Sequence, residues 1–286
     1  MRQKAQQFDP RQTMCRTGFE VFHYRDAQPG EVEVHHHDFY EVYLFLSGEV
    51  DYWVDGRLYR LQPGDVLLIN PMELHRPIVK ADTAYERIVL WIEKKYLESF
   101  STEAVSLTRC FDHSRPEHSN LIRPSALWRS DITARMNALA REYYSEEYGG
   151  TLYADGLFLQ LMVELNRLAL QDDGEQLREE SSVLASKVLA YIGEHYAEEL
   201  SLESLAAQFF VSKYHLSHEF SRTVGVGVYR YLTLKRLLIA KQLMDDGVPP
   251  GDVYAFCGFR DYTNFYRAFK AEYGISPRAC GSGKKE

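Results

Sequence analysis

This 286-residue chain has no run of about 18 unbroken apolar residues, so nothing in it reads as a membrane span. Its beginning, MRQKAQQFDPRQTM, lacks the apolar centre of a secretory signal. Cysteine is scarce: Cys15, Cys110, Cys257 and Cys280 stand far apart with no CxxC pair. That spacing excludes a disulfide framework and a zinc finger, and it fits a reducing cytoplasm. No Walker loop, GxSxG elbow or dinucleotide fingerprint occurs, so no enzyme class is indicated by motif. Positive charge is also short, with 33 Lys and Arg against 41 Asp and Glu, a net charge of −8 and a pI near 5.7. A broad basic field is thereby excluded, but local basic patches are not. From Leu184 onward 13 Lys and Arg face 11 Asp and Glu, so the acidity belongs to the first 183 residues. Any nucleic-acid contact must then rest on placed side chains such as Lys213, Lys235, Arg236, Arg267 and Lys270.

What is present is a repeat. Ser212, Leu216, Phe220 and Gly225 return 49 positions later as Asp261, Phe265, Phe269 and Gly274. Each set is a helix in outline: a capping side chain, two apolar residues at i and i+4, and a glycine past the end. Short helices predicted over 202–209 and 252–257 precede them, which makes two helix-turn-helix units. The residues turned away from the apolar pair are Tyr214, Ser217, His218 and Ser221 in the first copy. In the second they are Thr263, Asn264, Tyr266, Arg267 and Lys270. Such side chains suit base edges and phosphates. An amphipathic stretch over 229–244 joins the units, and about 24 Å of helix could set two recognition helices roughly one DNA turn apart.

The segments SLESLAAQFFVSKYHLSHEF, GVGVYRYLTLKRLLIAKQLM and GFRDYTNFYRAFKAEYGISP resemble the DNA-binding domain of the AraC/XylS-type transcription regulators. The resemblance implies contacts from the early turns of both recognition helices: Lys213, Tyr214, Ser217 and His218, then Thr263, Asn264, Tyr266 and Arg267. Two departures stand out: Phe210, where the family has glycine or a small residue, and Tyr254, where it has alanine. A bulky residue in a left-handed turn costs about 1 kcal/mol or more, so a differently shaped first turn is expected.

The N-terminal half alternates strand-like runs with turns: 21–25, 31–35, 41–46, 51–54, 58–61, 66–69 and 85–92. Asp55-Gly56 is a two-residue hairpin signal. Seven short strands suggest a closed or sandwiched β-barrel. HHHDFYEVYLFLSGE and LQPGDVLLINPMELH resemble the two signature segments of the cupin, or jelly-roll, barrel. That resemblance implies a shared interior position for His35, His37, Glu41 and His75, as ligands of one divalent transition metal or as polar groups of a pocket that needs no metal. His36 is expected at the surface. Tyr43 and Trp91, with Tyr52 or Trp53, are candidates for an aromatic wall suited to a sugar, while Trp53 and Phe45 read rather as core.

Amphipathic helices are predicted over 125–144, with Leu127, Ile132, Met136, Leu139 and Tyr143 on one side, and over 152–170, with Leu157, Leu161, Leu165 and Leu168. The second stripe is expected to pair with a second copy. The whole is expected to be a multidomain regulator: a ligand-binding cupin-like barrel (1–110), a helical dimerisation segment (111–170), a linker (171–183) and an all-α tandem helix-turn-helix domain (184–286). Its expected partners are promoter DNA, a small polar effector such as a sugar, a second copy of itself and, for an activator, RNA polymerase. No membrane and no obligatory cofactor are expected. The alternative is a metal-dependent cupin enzyme or metal sensor joined to a DNA-binding domain.

Overall fold

A computed structural model describes residues 13–27, 30–71, 73–80, 83–112, 119–171 and 183–282. The chain divides into two compact units, Met1–Glu179 and Glu180–Glu286. The linker expected over 171–183 lies, apart from its two helical ends, outside the described residues.

The first unit holds two antiparallel sheets. One has the order β1-β7-β2-β5-β8, from β1 (Phe19–Asp26), β7 (Tyr85–Ile92), β2 (Tyr40–Ser47), β5 (Val66–Ile69) and β8 (Leu121–Ile122). The other has the order β4-β3-β6, from β4 (Arg57–Arg60), β3 (Val50–Val54) and β6 (His75–Val79). Asp55 and Gly56 both take positive φ, as the two-residue hairpin between β3 and β4 requires. β8 places the last strand beyond residue 110, so the barrel runs further than its sequence boundary. β6 lies outside the predicted strand-like runs; it contains Pro77, whose missing donor an edge strand tolerates.

Strand alternation divides the large sheet into two faces. Along β2, Tyr43 and Phe45 enter the core between the sheets, with Tyr52, Val54 and Val89. Tyr40, Val42 and Leu44 enter a second core on the other face. That face is covered by α2 (Ala126–Glu142) and α3 (Gly150–Gln171), through Ile132, Met136, Leu139, Phe158, Leu161 and Leu165. The expected dimer stripe is thereby corrected: Leu161 and Leu165 are fully buried inside their own protomer. A leucine stripe cannot distinguish a partner helix from the back of a sheet, because both bury carbon equally. The helix before it also departs from its pattern, since Leu127 is exposed. Between these elements lie α1 (Lys94–Ser99) and a 3-10 turn at Arg109–Phe111.

The second unit is helical: α4 (Val183–His195), α5 (Leu202–Gln208), α6 (Lys213–Val224), α7 (Val228–Asp245), α8 (Val253–Phe256), α9 (Tyr262–Tyr273) and α10 (Pro277–Ser282). Ser212 caps α6 by accepting from His215 N, and Asp261 caps α9 by accepting from Asn264 N. Gly225 and Gly274 close those helices in the left-handed region. Leu216, Phe220, Phe265 and Phe269 are fully buried. The long α7 backs both units: Tyr231 meets Phe220 at 5.7 Å between ring centres, while Leu237, Ala240 and Met244 join Phe265 and Phe269. Among the described residues no helix is long and apolar enough to cross a membrane.

Candidate DNA-reading helices and barrel pocket

The outward faces of α6 and α9 are as the repeat predicts. Lys213, Tyr214, His218, Thr263, Asn264 and Arg267 are exposed, and Ser217 and Tyr266 are half-buried. Tyr214 is 81% exposed and lies 6.2 Å from the His218 ring, nearly parallel to it. Such a side chain presents an aromatic face and a hydroxyl without any core to hold it. Asn264 turns its amide Nδ2 back to Asp261 Oδ2 at 2.9 Å, which fixes its orientation at the start of α9. The first turn is not reshaped. Phe210 adopts φ +56° with its ring 95% exposed, and the backbone takes the strain.

In the first unit a cavity of about 750 Å³ opens between the sheets. Its wall includes His35, Glu41, Tyr43, Tyr52, Arg87 and Trp91. Of the predicted aromatics, Tyr43, Tyr52 and Trp91 face it, while Trp53 and Phe45 are core. Trp91 donates from Nε1 to Glu41 Oε2 at 2.9 Å, and the Tyr43 and Tyr85 hydroxyls bond each other. Burial pushes Tyr43 and Tyr52 well above the usual 10.0 and Tyr85 up to about 12, so these phenols remain protonated. Arg87 is clamped by Asp26 and stacked at 4.1 Å on Tyr85 and 4.8 Å on Tyr24. Sequence reasoning missed Arg87, Tyr85 and Tyr24. Their signal was strand parity, since Arg87, Val89 and Trp91 alternate along β7 and must share a face.

The histidines converge, but not by the expected route. Residues 31–34 form no strand, and His35 makes only an isolated bridge with His75. His35, His37 and Glu41 therefore do not share one strand; a loop delivers the first two and β2 the third. His36, expected outside, is buried at 8% exposure, because that loop lies against β6 rather than standing free. Ligand atoms of His37, Glu41 and His75 all lie within 4.8 Å of one another. His35 stands beside this set, its ring 4.4 Å from that of His75, and reaches the cavity. In each histidine Nδ1 meets a backbone carbonyl: His35 to Glu33 O at 2.8 Å, His37 to Phe39 O at 2.8 Å and His75 to Glu73 O at 3.0 Å. A carbonyl only accepts, so in each ring Nδ1 carries a proton, and in a neutral ring Nε2 is the atom with the lone pair. Among the described residues the Nε2 atoms of His37 and His75 are buried without a hydrogen-bond partner, and that of His37 lies 3.3 Å from Glu41 Oε2. Burial holds His75 well below the usual 6.5 and lowers His35 also, so both imidazoles stay neutral near pH 7.

Comparison with known proteins matches each half separately. The family model described as the AraC-like ligand binding domain matches residues 17–162, and one described as a helix-turn-helix domain matches residues 205–281. The chain is 26% identical over 253 residues to the HTH-type transcriptional activator RhaS of Klebsiella pneumoniae (strain 342), covering 87% of each. It is 25% identical over 251 residues to RhaS of Escherichia coli O139:H28, again covering 87% of each. Among solved structures, ToxT of Vibrio cholerae with bound unsaturated fatty acid covers 95% of this chain and 98% of its own at 14% identity and TM-score 0.41. The DNA-binding domain of AdpA, in complex with a target DNA, covers 35% of this chain and 92% of its own at 27% identity and TM-score 0.34. With a ligand-binding barrel matched over half its length and a helix-turn-helix domain matched behind it, this chain belongs to the AraC/XylS family of DNA-binding transcription regulators.

Proposed function

We propose that this chain is a transcriptional activator whose barrel senses a small neutral polyhydroxylated metabolite, a sugar in the simplest case. Activation follows the character named in its RhaS relatives, and RNA polymerase is then its further partner. The charge pairing of the cavity carries the ligand class. Arg87 is already held by Asp26, and Arg25 has Glu86 at 3.9 Å. An anionic ligand must displace a carboxylate to gain a cation. Hydroxyls need only the phenols, the Glu41 carboxylate and His35, with Trp91 as an apolar face. Ligand acts by binding one arrangement of the protein better than another. Titration of the full chain with neutral monosaccharides and the matching sugar acids, read by tryptophan fluorescence, tests this. Saturable binding of a neutral sugar, weakened at least 10-fold by Glu41→Gln, is expected. Saturation by the acids alone overturns the class.

The protein acts as a homodimer in this reading. The face available on α3 is not that of Leu161. It is the end of the helix at Leu152, which is 77% exposed, with the half-buried Gly156 one turn on; Leu159 and Val163 already pack in part on their own core. Leu152→Glu is expected to halve the molar mass measured by light scattering; an unchanged mass removes this face.

The two orphaned Nε2 atoms favour a second reading of the same barrel. Imidazoles fixed by carbonyls, beside a carboxylate, form a donor set for zinc, nickel, iron or manganese. His37, Glu41 and His75 would hold the ion, with His35 at the cavity side. The ion would supply a Lewis-acidic point at the cavity wall, where ligand oxygens could reach it. Thermal shift of the full chain with each metal chloride distinguishes the readings. Stabilisation lost in His37→Ala and His75→Ala supports metal, and no shift with any metal leaves a polar pocket alone.

A further inference from the structure

The two DNA-reading helices treat their cations differently. On α6, Lys213 donates to Glu203 Oε1 at 2.7 Å and Arg222 donates to Glu219 Oε2 at 2.8 Å. His218 Nδ1 also lies 3.8 Å from Glu219 Oε1. On and before α9, Arg260, Arg267 and Lys270 are exposed, and among the described residues none has a carboxylate within ion-pair distance. The nearby carboxylates are engaged elsewhere. Asp261 spends Oδ1 on Asn264 N and Oδ2 on Asn264 Nδ2, and Glu272 accepts from Arg230 at 2.9 Å.

We propose that the two units divide the work on DNA, with Glu203 and Glu219 as specificity-determining residues. The second unit holds phosphates through Arg267 and Lys270. The first reads bases through Tyr214, Ser217 and His218, while Glu203 and Glu219 penalise DNA of the wrong sequence. This rests on the reading that α6 and α9 are the helices facing DNA.

Each phosphate neutralised by a free cation releases counterions and adds about 0.9 to the slope of log K against log salt. A cation already matched by a carboxylate brings that negative charge to within a few ångströms of the phosphate, inside the Debye length of about 8 Å at physiological salt. An exposed ion pair is itself weak, so good base contacts can rearrange it. At a wrong sequence no base contact offsets the repulsion. The low net charge of this half, 13 cations against 11 carboxylates from Leu184, makes such local placement decisive.

The test uses the full chain, a short duplex of mixed sequence, and a duplex enriched by the wild-type protein from a random library. Binding is read by fluorescence anisotropy over a salt series. Glu203→Gln with Glu219→Gln should tighten binding to the mixed duplex about 10-fold, a plausible size for two charges beside phosphates. Affinity for the enriched duplex should change by much less, so discrimination falls. Glu194→Gln, an exposed carboxylate on α4, controls for net charge. Arg267→Ala with Lys270→Ala should lower the salt slope by about 1.8, and Lys213→Ala with Arg222→Ala by less than half of that. Glu219 is half-buried and the other side chains are exposed, and far-UV circular dichroism verifies folding. Equal slope losses for the two cation pairs, or no tightening beyond Glu194→Gln, overturn the division. Absence of any salt-dependent binding by the wild-type chain instead overturns the assignment of α6 and α9 to DNA.

Discussion

The two helix-turn-helix units end their supporting helices with the same two backbone bonds, from different residues. After α5, Phe210 N donates to Ala207 O and Val211 N to Ala206 O. After α8, Gly258 N donates to Ala255 O and Phe259 N to Tyr254 O. Both turning residues are left-handed, Phe210 at φ +56° and Gly258 at φ +75°. The supporting helices are thus 48 positions apart and the recognition helices 49, because the second turn has one more residue before its cap. Only Gly258 is doubly constrained. A Cβ there would lie 2.6 Å from the Ala197 carbonyl oxygen, whereas the Phe210 side chain stands in the open. A left-handed turn alone costs a side chain about 1 kcal/mol, which a unit with a full core can absorb. A left-handed turn pressed against backbone cannot be filled. The same fold element therefore tolerates phenylalanine in one copy and demands glycine in the other.

That contrast can be broken by measurement. Gly258→Ala should destabilise the second unit by about 2–4 kcal/mol, the sum of backbone strain and an unrelieved clash. The three tryptophans, Trp53, Trp91 and Trp128, all lie in the first unit. The loss should therefore appear in the far-UV circular dichroism melt and not in tryptophan fluorescence. A loss under 1 kcal/mol would mean that the α4 end moves freely aside. Next in size, Ser212→Ala and Asp261→Ala should each cost about 1 kcal/mol, since each removes one cap bond from equivalent helices. A cost confined to one of them would show that the repeat is not energetically equivalent. The smallest effect runs the other way. Phe210→Gly relieves the strained φ but loosens the unfolded chain, so a net gain of at most about 1 kcal/mol is expected. Destabilisation by more than that would show that the exposed ring has a packing partner.

Legibility differed between the halves for a physical reason. In the second unit the signals are local: Ser212 and Gly225 bracket α6, Asp261 and Gly274 bracket α9, and two apolar side chains one turn apart fix which face is inside. In the first unit the functional residues come from sheet partners far apart in sequence. Parity along one strand gave Tyr43 with Glu41, but it could not place His35 or His36, because residues 31–34 lie in a loop. Parity along β7 puts Arg87 on the face of Trp91, but it could not reveal that Asp26, across the β1–β7 register, already holds that guanidinium.

The sequence by itself determined the tandem helical units, their caps, their outward faces, the all-strand character of the first unit's front part and the residue types that gather in its pocket. These follow from periodicity, turn chemistry and motif spacing, which act within a few residues. The tertiary structure alone decided that Leu161 faces its own sheet, that Phe210 keeps a glycine's conformation, and that His37, Glu41 and His75 rather than all four candidates form the compact set. It also decided that Glu203, on α5, sits on Lys213 of α6. Each of these depends on which surface a side chain meets after folding, and that is set by the packing of elements distant in the chain.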